Sequence, residues 1–177
     1  MPDLSGLKIR TSPSNREILT RLGGRAVQIA VKEIYTALQR GTVDGLAFTT
    51  IGVPDLGVER FIHYRIDPAF LQLAICLQVN LDTWNALAPD ARRILEEQAV
   101  IYERASREAF FALQDRELLL LERQGLTSTP VEDGDAYRAH AHDVVWERLA
   151  RRAPESASRL RPLFYPDAAS LTPAPGP

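Results

Sequence analysis

A single cysteine, Cys76, rules out an internal disulfide. The sequence also has no apolar run near the roughly 20 residues that a membrane-spanning helix needs. It carries no large excess of charge: 21 Lys and Arg stand against 23 Asp and Glu, a net charge of −2, which argues against nucleic acid or an anionic membrane as a partner. No Gly-x-Gly-x-x-Gly, P-loop or Gly-x-Ser-x-Gly elbow occurs, and the serines fall in loops or caps. His140 and His142 are spaced i, i+2 in a helical segment and point to different sides, so they cannot share an ion and read as part of a solvated helix face. His63 stands alone beside Tyr64 and reads as structural. Cys76 has no histidine or acid at useful spacing and reads as a small packing residue. No nucleophile is set beside a base. The residues therefore support neither an enzyme nor a cofactor or metal site. The opening decapeptide MPDLSGLKIR has no basic region followed by an apolar stretch, so it does not read as a signal peptide.

What is present is an ordinary globular composition, 177 residues of which 45% are apolar, enough for a sizeable core. Leu7 to Thr11 alternates as a short strand. Thr11-Ser12-Pro13 breaks it, and Ser14 with Glu17 has capping-box spacing, predicting a helix from Ser14 to Gly23-Gly24. Ala26 to Ala30 is a second strand. Val31, Ile34, Tyr35 and Leu38 share one helical face, Gly41 ends that helix, and a third strand is expected from about Val43 to Thr50. Strand, helix, strand, helix, strand with short turns is the pattern of a parallel α/β sheet. Ligands of such sheets bind beyond the carboxyl ends of the strands. Arg10 and Phe48 lie there, and the amino end of the Ser14 helix points into the same region, where it favours an anion. Arg10 has two readings at this point, a solvated sheet-edge residue or a clamp whose paired donors fit a carboxylate.

Further on, a short turn is expected between Gly52 and Glu59, then a strand from Phe61 to Ile66 stopped by Asp67-Pro68. Leu71 to Val79 alternates strictly and predicts a half-buried strand with Leu71, Leu73, Ile75, Leu77 and Val79 on its apolar face. Asn80 caps a short helix. From Pro89 nothing interrupts helix until Gln124, which at 1.5 Å per residue is roughly 54 Å. Ile94, Ile101, Tyr102, Ala105, Ala109, Ala112, Leu113, Leu119 and Leu120 mark its expected buried stripe, and the intervening arginines and glutamates its wet side. A brief strand at Leu126 to Thr129, helices at Ala136 to Ala150 and Pro154 to Phe164, and a Pro/Ala-rich disordered tail from 166 to 177 complete the reading.

Three blocks stand out together: DLSGLKIRTSPSN, VKEIYTALQRGTVDG, and LQVNLDTWNALAPDARRILEEQA running into a long helix stopped at ERQG. Over about Asp3 to Phe164 they resemble the solute-binding proteins of TRAP (tripartite ATP-independent periplasmic) transporters of the dicarboxylate-binding type, whose second lobe opens on DLKGLKIR. The resemblance implies an α/β lobe of periplasmic-binding-protein type over residues 1–80, a helical region over 81–165 with a long inter-lobe helix, and a first lobe and signal peptide lying outside this chain. It implies a periplasmic, non-catalytic receptor that takes up an organic acid and passes it to a TRAP membrane permease. It places the family's carboxylate-binding arginine at Arg10 and a cleft-lining position at Phe48. Phe48 stands where the family often has an asparagine or tryptophan, and Ala47 where it often has an acidic or amide residue, which favours a ligand with an apolar or aromatic portion. Where the long helix outreaches its own sheet, exposed apolar surface and self-association are expected. The competing readings are a small-molecule-sensing lobe of a regulatory protein and a small enzyme.

Overall fold

The computed structural model describes residues 1–73 and 75–164. The expected tail from 166 lies outside them. Strands β1 (Lys8–Thr11), β2 (Arg25–Gln28) and β3 (Gly45–Leu46) form a parallel sheet in the order β2-β1-β3. Arg10 stands beside Val27 on one side and Leu46 on the other, so these three side chains share a face. Helix α1 (Arg16–Arg21) joins β1 to β2, and α2 (Ile34–Gln39) joins β2 to β3.

Each face of the sheet carries its own apolar cluster, as a parallel sheet requires. On one face Ile18, Leu19 and Leu22 pack with Leu4, Ala47 and with Tyr137, Ala141 and Val144 of a later helix, α5 (Gly134–Arg152). On the other, Ile34, Ala37 and Leu38 pack with Val43 and Val58, and Val27, Ile29, Leu46 and Phe48 join them. Glu17 of α1 pairs with Arg21 at 3.0 Å and with Arg151 of α5 at 2.8 Å, and Arg21 also pairs with Glu147. This exposed network fastens α1 to α5.

The second half is built on α4 (Pro89–Arg123), 35 residues long, or roughly 52 Å. Pro89 occupies its first turn, and Gly125 at φ 99° takes the left-handed turn after it. A two-stranded parallel sheet pairs β4 (Tyr64–Asp67) with β5 (Thr127–Pro130). Helices α3 (Leu81–Ala86), with Asn80 capping Thr83 N–H, and α6 (Pro154–Phe164) complete the order. Among the described residues no helix is long and apolar enough to cross a membrane.

Several expectations are corrected. The first helix opens with a 3-10 turn, Pro13–Asn15, and no side chain caps it; Ser14 Oγ meets Ser12 Oγ at 2.7 Å, so the capping box is not made. Val31 lies in another 3-10 turn, Val31–Glu33, ahead of the α-helix proper, and is exposed instead of sharing the buried face of Ile34 and Leu38. The third strand shrinks to two residues, because only Gly45 and Leu46 run alongside β1. Between Leu71 and Val79 the described residues form no strand, and Leu73, Ile75, Leu77 and Val79 are exposed, Ile75 by 88% and Leu77 by 91%. Alternation supplies an apolar face, but a strand also needs a neighbour for its backbone, and among the described residues none pairs here. Cys76, expected to pack, is exposed for the same reason. The stripe of α4 is likewise bare at Ile94, Ile101, Tyr102, Leu119 and Leu120; the buried residues of this helix are Glu117 and Leu121. His140 and His142 are half-buried rather than fully solvated.

Candidate functional site

The site grows from the carboxyl end of β1. Parallel pairing to both neighbours fixes the Arg10 backbone, and the pleat turns its side chain to the α2 face. There the residue is only 6% exposed. Its Nε donates to the carbonyl of Ile29, two residues beyond Val27 on the neighbouring chain segment, at 2.9 Å. Its guanidinium carbon lies over the Phe48 ring, 5.6 Å from the centroid. Phe48 sits two residues beyond Leu46, the register partner of Arg10, so the same period of two brings Ile29 and Phe48 to one side.

No carboxylate of the described residues pairs with Arg10, and the Ile29 carbonyl is the one hydrogen-bond partner its guanidinium has among them. Burial pulls its pKa down from the ordinary value, but an arginine stays protonated. A cation shielded from water without a counter-charge is costly and is ordinarily paired. The Nη1 and Nη2 groups of Arg10 have no hydrogen-bond partner among the described residues.

The loop after Phe48 is tied to the long helix. Glu117, 9% exposed, accepts from Gly52 N–H through Oε2 at 2.6 Å, and Thr50 Oγ1 donates to Gln114 Oε1 at 3.2 Å. Gly52 has φ 89°, and a Cβ there would lie 3.8 Å from Phe48 Cε1, so the tethered loop stands against the ring. The helix amino end expected to assist the anion contributes less than foreseen: α1 is six residues long, and Asn15 N–H is already bonded to Ser12 O at 3.2 Å.

Sequence reasoning missed two members of this site. The Ile29 carbonyl is main chain and carries no side-chain signal. Glu117 reads by residue type as part of the wet side of α4, yet Leu113, Glu117 and Leu121 follow one another at i+4 on a single face, and that spacing is the sequence signal for its burial. The histidines lie elsewhere. His142 has its pKa lowered by burial and then by Arg138, with Asp143 opposing, and His140 Nε2 is buried with no hydrogen-bond partner among the described residues. No group of three or more His, Cys, Asp or Glu placed to hold a metal occurs among the described residues.

The pairing of a parallel α/β lobe with a long outlying helix has close counterparts. A family model described as bacterial extracellular solute-binding protein, family 7, matches residues 1–151. The chain belongs to that family. It is 26% identical over 164 residues to a solute-binding protein of Roseobacter denitrificans, covering 92% of this chain and 49% of that protein. It is 30% identical over 103 residues to a monocarboxylate 2-oxoacid-binding periplasmic protein of Nostoc, covering 55% of this chain and 28% of the other. The family-7 chain also superposes on solved TRAP periplasmic solute-binding proteins. One from Desulfovibrio salexigens with bound orotic acid gives a TM-score of 0.73 at 19% identity, over 91% of this chain and 53% of that one. One from Roseobacter denitrificans with bound β-D-glucuronate gives 0.71 at 23%, over 90% and 52%. At these identities the superpositions establish the fold. The chain spans about half the length of the first of these curated relatives and of both solved structures.

Proposed function

We propose that this chain supplies one lobe of an extracytoplasmic solute-binding protein of a TRAP transporter, which captures an organic acid and delivers it to a membrane permease. The observation that carries the reading is Arg10: a buried guanidinium at the carboxyl end of a parallel strand, with no counter-anion among the described residues. A ligand carboxylate would complete it through charge-assisted hydrogen bonds, which are roughly twice as strong as neutral ones. Family membership supports transport rather than catalysis, and the acids bound by the superposing proteins, orotic acid and glucuronate, support a carboxylate as the group read. Phe48 beside the guanidinium gives the site an apolar flank. The one-lobe reading also accounts for the bare apolar stripe of α4 and the exposed Leu73, Ile75, Leu77 and Val79, surfaces that a second lobe would cover.

The test is titration calorimetry on the full-length product of the gene, with glucuronate, orotate and pyruvate, for wild type, Arg10→Ala and Arg10→Lys. Arg10→Ala removes one partner of a buried charge pair and should cost about 2–5 kcal/mol, or roughly 30-fold to several thousandfold in affinity. Arg10→Lys should also bind poorly, since an ammonium keeps the charge and loses the planar fork. An Arg10→Ala protein that binds its acid as tightly as wild type would make Arg10 a purely structural residue.

A further inference from the structure

A guanidinium can meet a carboxylate side-on, through Nε and one Nη, or end-on, through Nη1 and Nη2. In this site the choice is restricted. The Nε–H of Arg10 is already taken by the Ile29 carbonyl at 2.9 Å, and the Phe48 ring stands 5.6 Å from the guanidinium carbon on one face. What remains open is the Nη1–Nη2 end.

We infer that Phe48 is a positioning residue: its ring, with the Ile29 carbonyl, locks Arg10 so that only the Nη1–Nη2 end is offered to an organic carboxylate, and the ring itself is not the surface on which the ligand rests. This rests on the carboxylate reading above and revises the role expected of Phe48 from sequence, where it lined the apolar side of the cleft. The ring is in turn backed by a held loop, because Gly52 lies against it and Glu117 holds Gly52 N–H at 2.6 Å. A fork ordered before the ligand arrives does not have to be ordered on binding, which is where the gain in affinity arises. The consequence for ligand class is that selectivity at this point is for the carboxylate group and not for an aromatic body attached to it.

The test uses the full-length product of the gene, labelled with 15N, and follows the Arg10 Nε–H resonance. In wild type, exchange of this proton should be at least about 10-fold slower than that of the exposed arginines, since opening must break a partly buried hydrogen bond. Phe48→Leu, which keeps apolar volume and removes the ring, should speed it by about 3- to 30-fold, the range of a guanidinium–ring contact. Phe48→Tyr should restore the wild-type rate. Sodium pyruvate and sodium benzoate, titrated against the same resonance, should both bind Phe48→Leu more weakly by the same factor. Unchanged Nε–H exchange in Phe48→Leu overturns the inference. So does a loss for benzoate with none for pyruvate, which would make the ring a direct ligand surface. Failure of the carboxylate reading has a different signature: the exchange rates change as expected, yet neither acid moves the Arg10 resonance in any of the three proteins.

Discussion

Replacing Glu117 by alanine is the most informative perturbation away from Arg10. The side chain is nearly buried and its Oε2 accepts from Gly52 N–H at 2.6 Å, which ties the carboxyl-terminal part of the long helix α4 to the loop behind Phe48. Truncation leaves a partly buried backbone donor without an acceptor. A hydrogen bond to a charged group contributes about 1.5–3 kcal/mol, and leaving one partner unpaired costs about 1–3 kcal/mol; these describe the same loss and are not summed. We expect Glu117→Ala to destabilise the chain by about 2–3 kcal/mol. Glu117→Gln keeps an oxygen acceptor of the same reach and gives up only the charge, so about 1 kcal/mol is expected. For a chain of this size each kcal/mol lowers Tm by about 2–4 °C, so the alanine variant should melt about 4–12 °C lower and the glutamine variant about 2–4 °C lower. Thermal unfolding followed by circular dichroism measures both, and exchange of the Gly52 amide reports the bond directly. Should both variants melt with wild type and the Gly52 amide exchange unchanged, the Glu117 contact holds nothing, and the loop is positioned by its other neighbours.

The exposed network between α1 and α5 gives a pH dependence. The hydrogen bond from Arg151 holds the Glu17 carboxyl below its ordinary value, and that from Arg21 does the same for Glu147. Depressed carboxylate pKa values give stability that is present above the ordinary glutamate value of about 4.3 and is lost as pH falls through the lower folded values. Acid unfolding of Glu17→Gln should therefore show a shallower slope in that window than wild type, and an identical slope would refute the coupling. Self-association is expected through the bare surfaces at Ile75, Leu77, Leu81, Ile101 and Tyr102, all more than half exposed. Sedimentation velocity should show it fall in an Ile75→Glu, Leu77→Glu double variant whose melting temperature is unchanged, whereas a wild-type chain that stays monomeric at high concentration would count against it. Gly23 and Gly41 make a matched pair. Both have positive φ, 83° and 65°, but a Cβ on Gly23 would fall 2.7 Å from Ser5 Oγ, while one on Gly41 meets nothing within 4 Å. Gly41→Ala should cost about 1–2 kcal/mol from backbone strain alone, and urea unfolding should show Gly23→Ala costing more.

The local grammar of this protein is written in short stretches of its sequence. The Leu7–Thr11 alternation, the two stretches of apolar period before Gly23 and Gly41, the Asn80 cap, the Pro89 start and the Gly125 stop each act over a few residues, and each appears within a few residues of where its chemistry puts it. That Arg10 and Phe48 come to lie side by side was legible, because a parallel sheet brings the ends of its strands together whatever lies between them. Tertiary structure decided what depends on a partner. Leu71–Val79 has the pattern of a strand, yet pattern provides only one face, and a ladder forms only where a second strand supplies the matching N–H and C=O groups. The apolar stripe of α4 is real in sequence and bare in the fold, because burial needs a second surface and the stripe meets none along Ile94 to Tyr102. The two contacts that fix the site, Ile29 O on Arg10 and Glu117 on Gly52 N–H, join residues 19 and 65 positions apart through main-chain atoms. Main-chain atoms are alike at every position in a sequence, so only the folded path of the chain could select them.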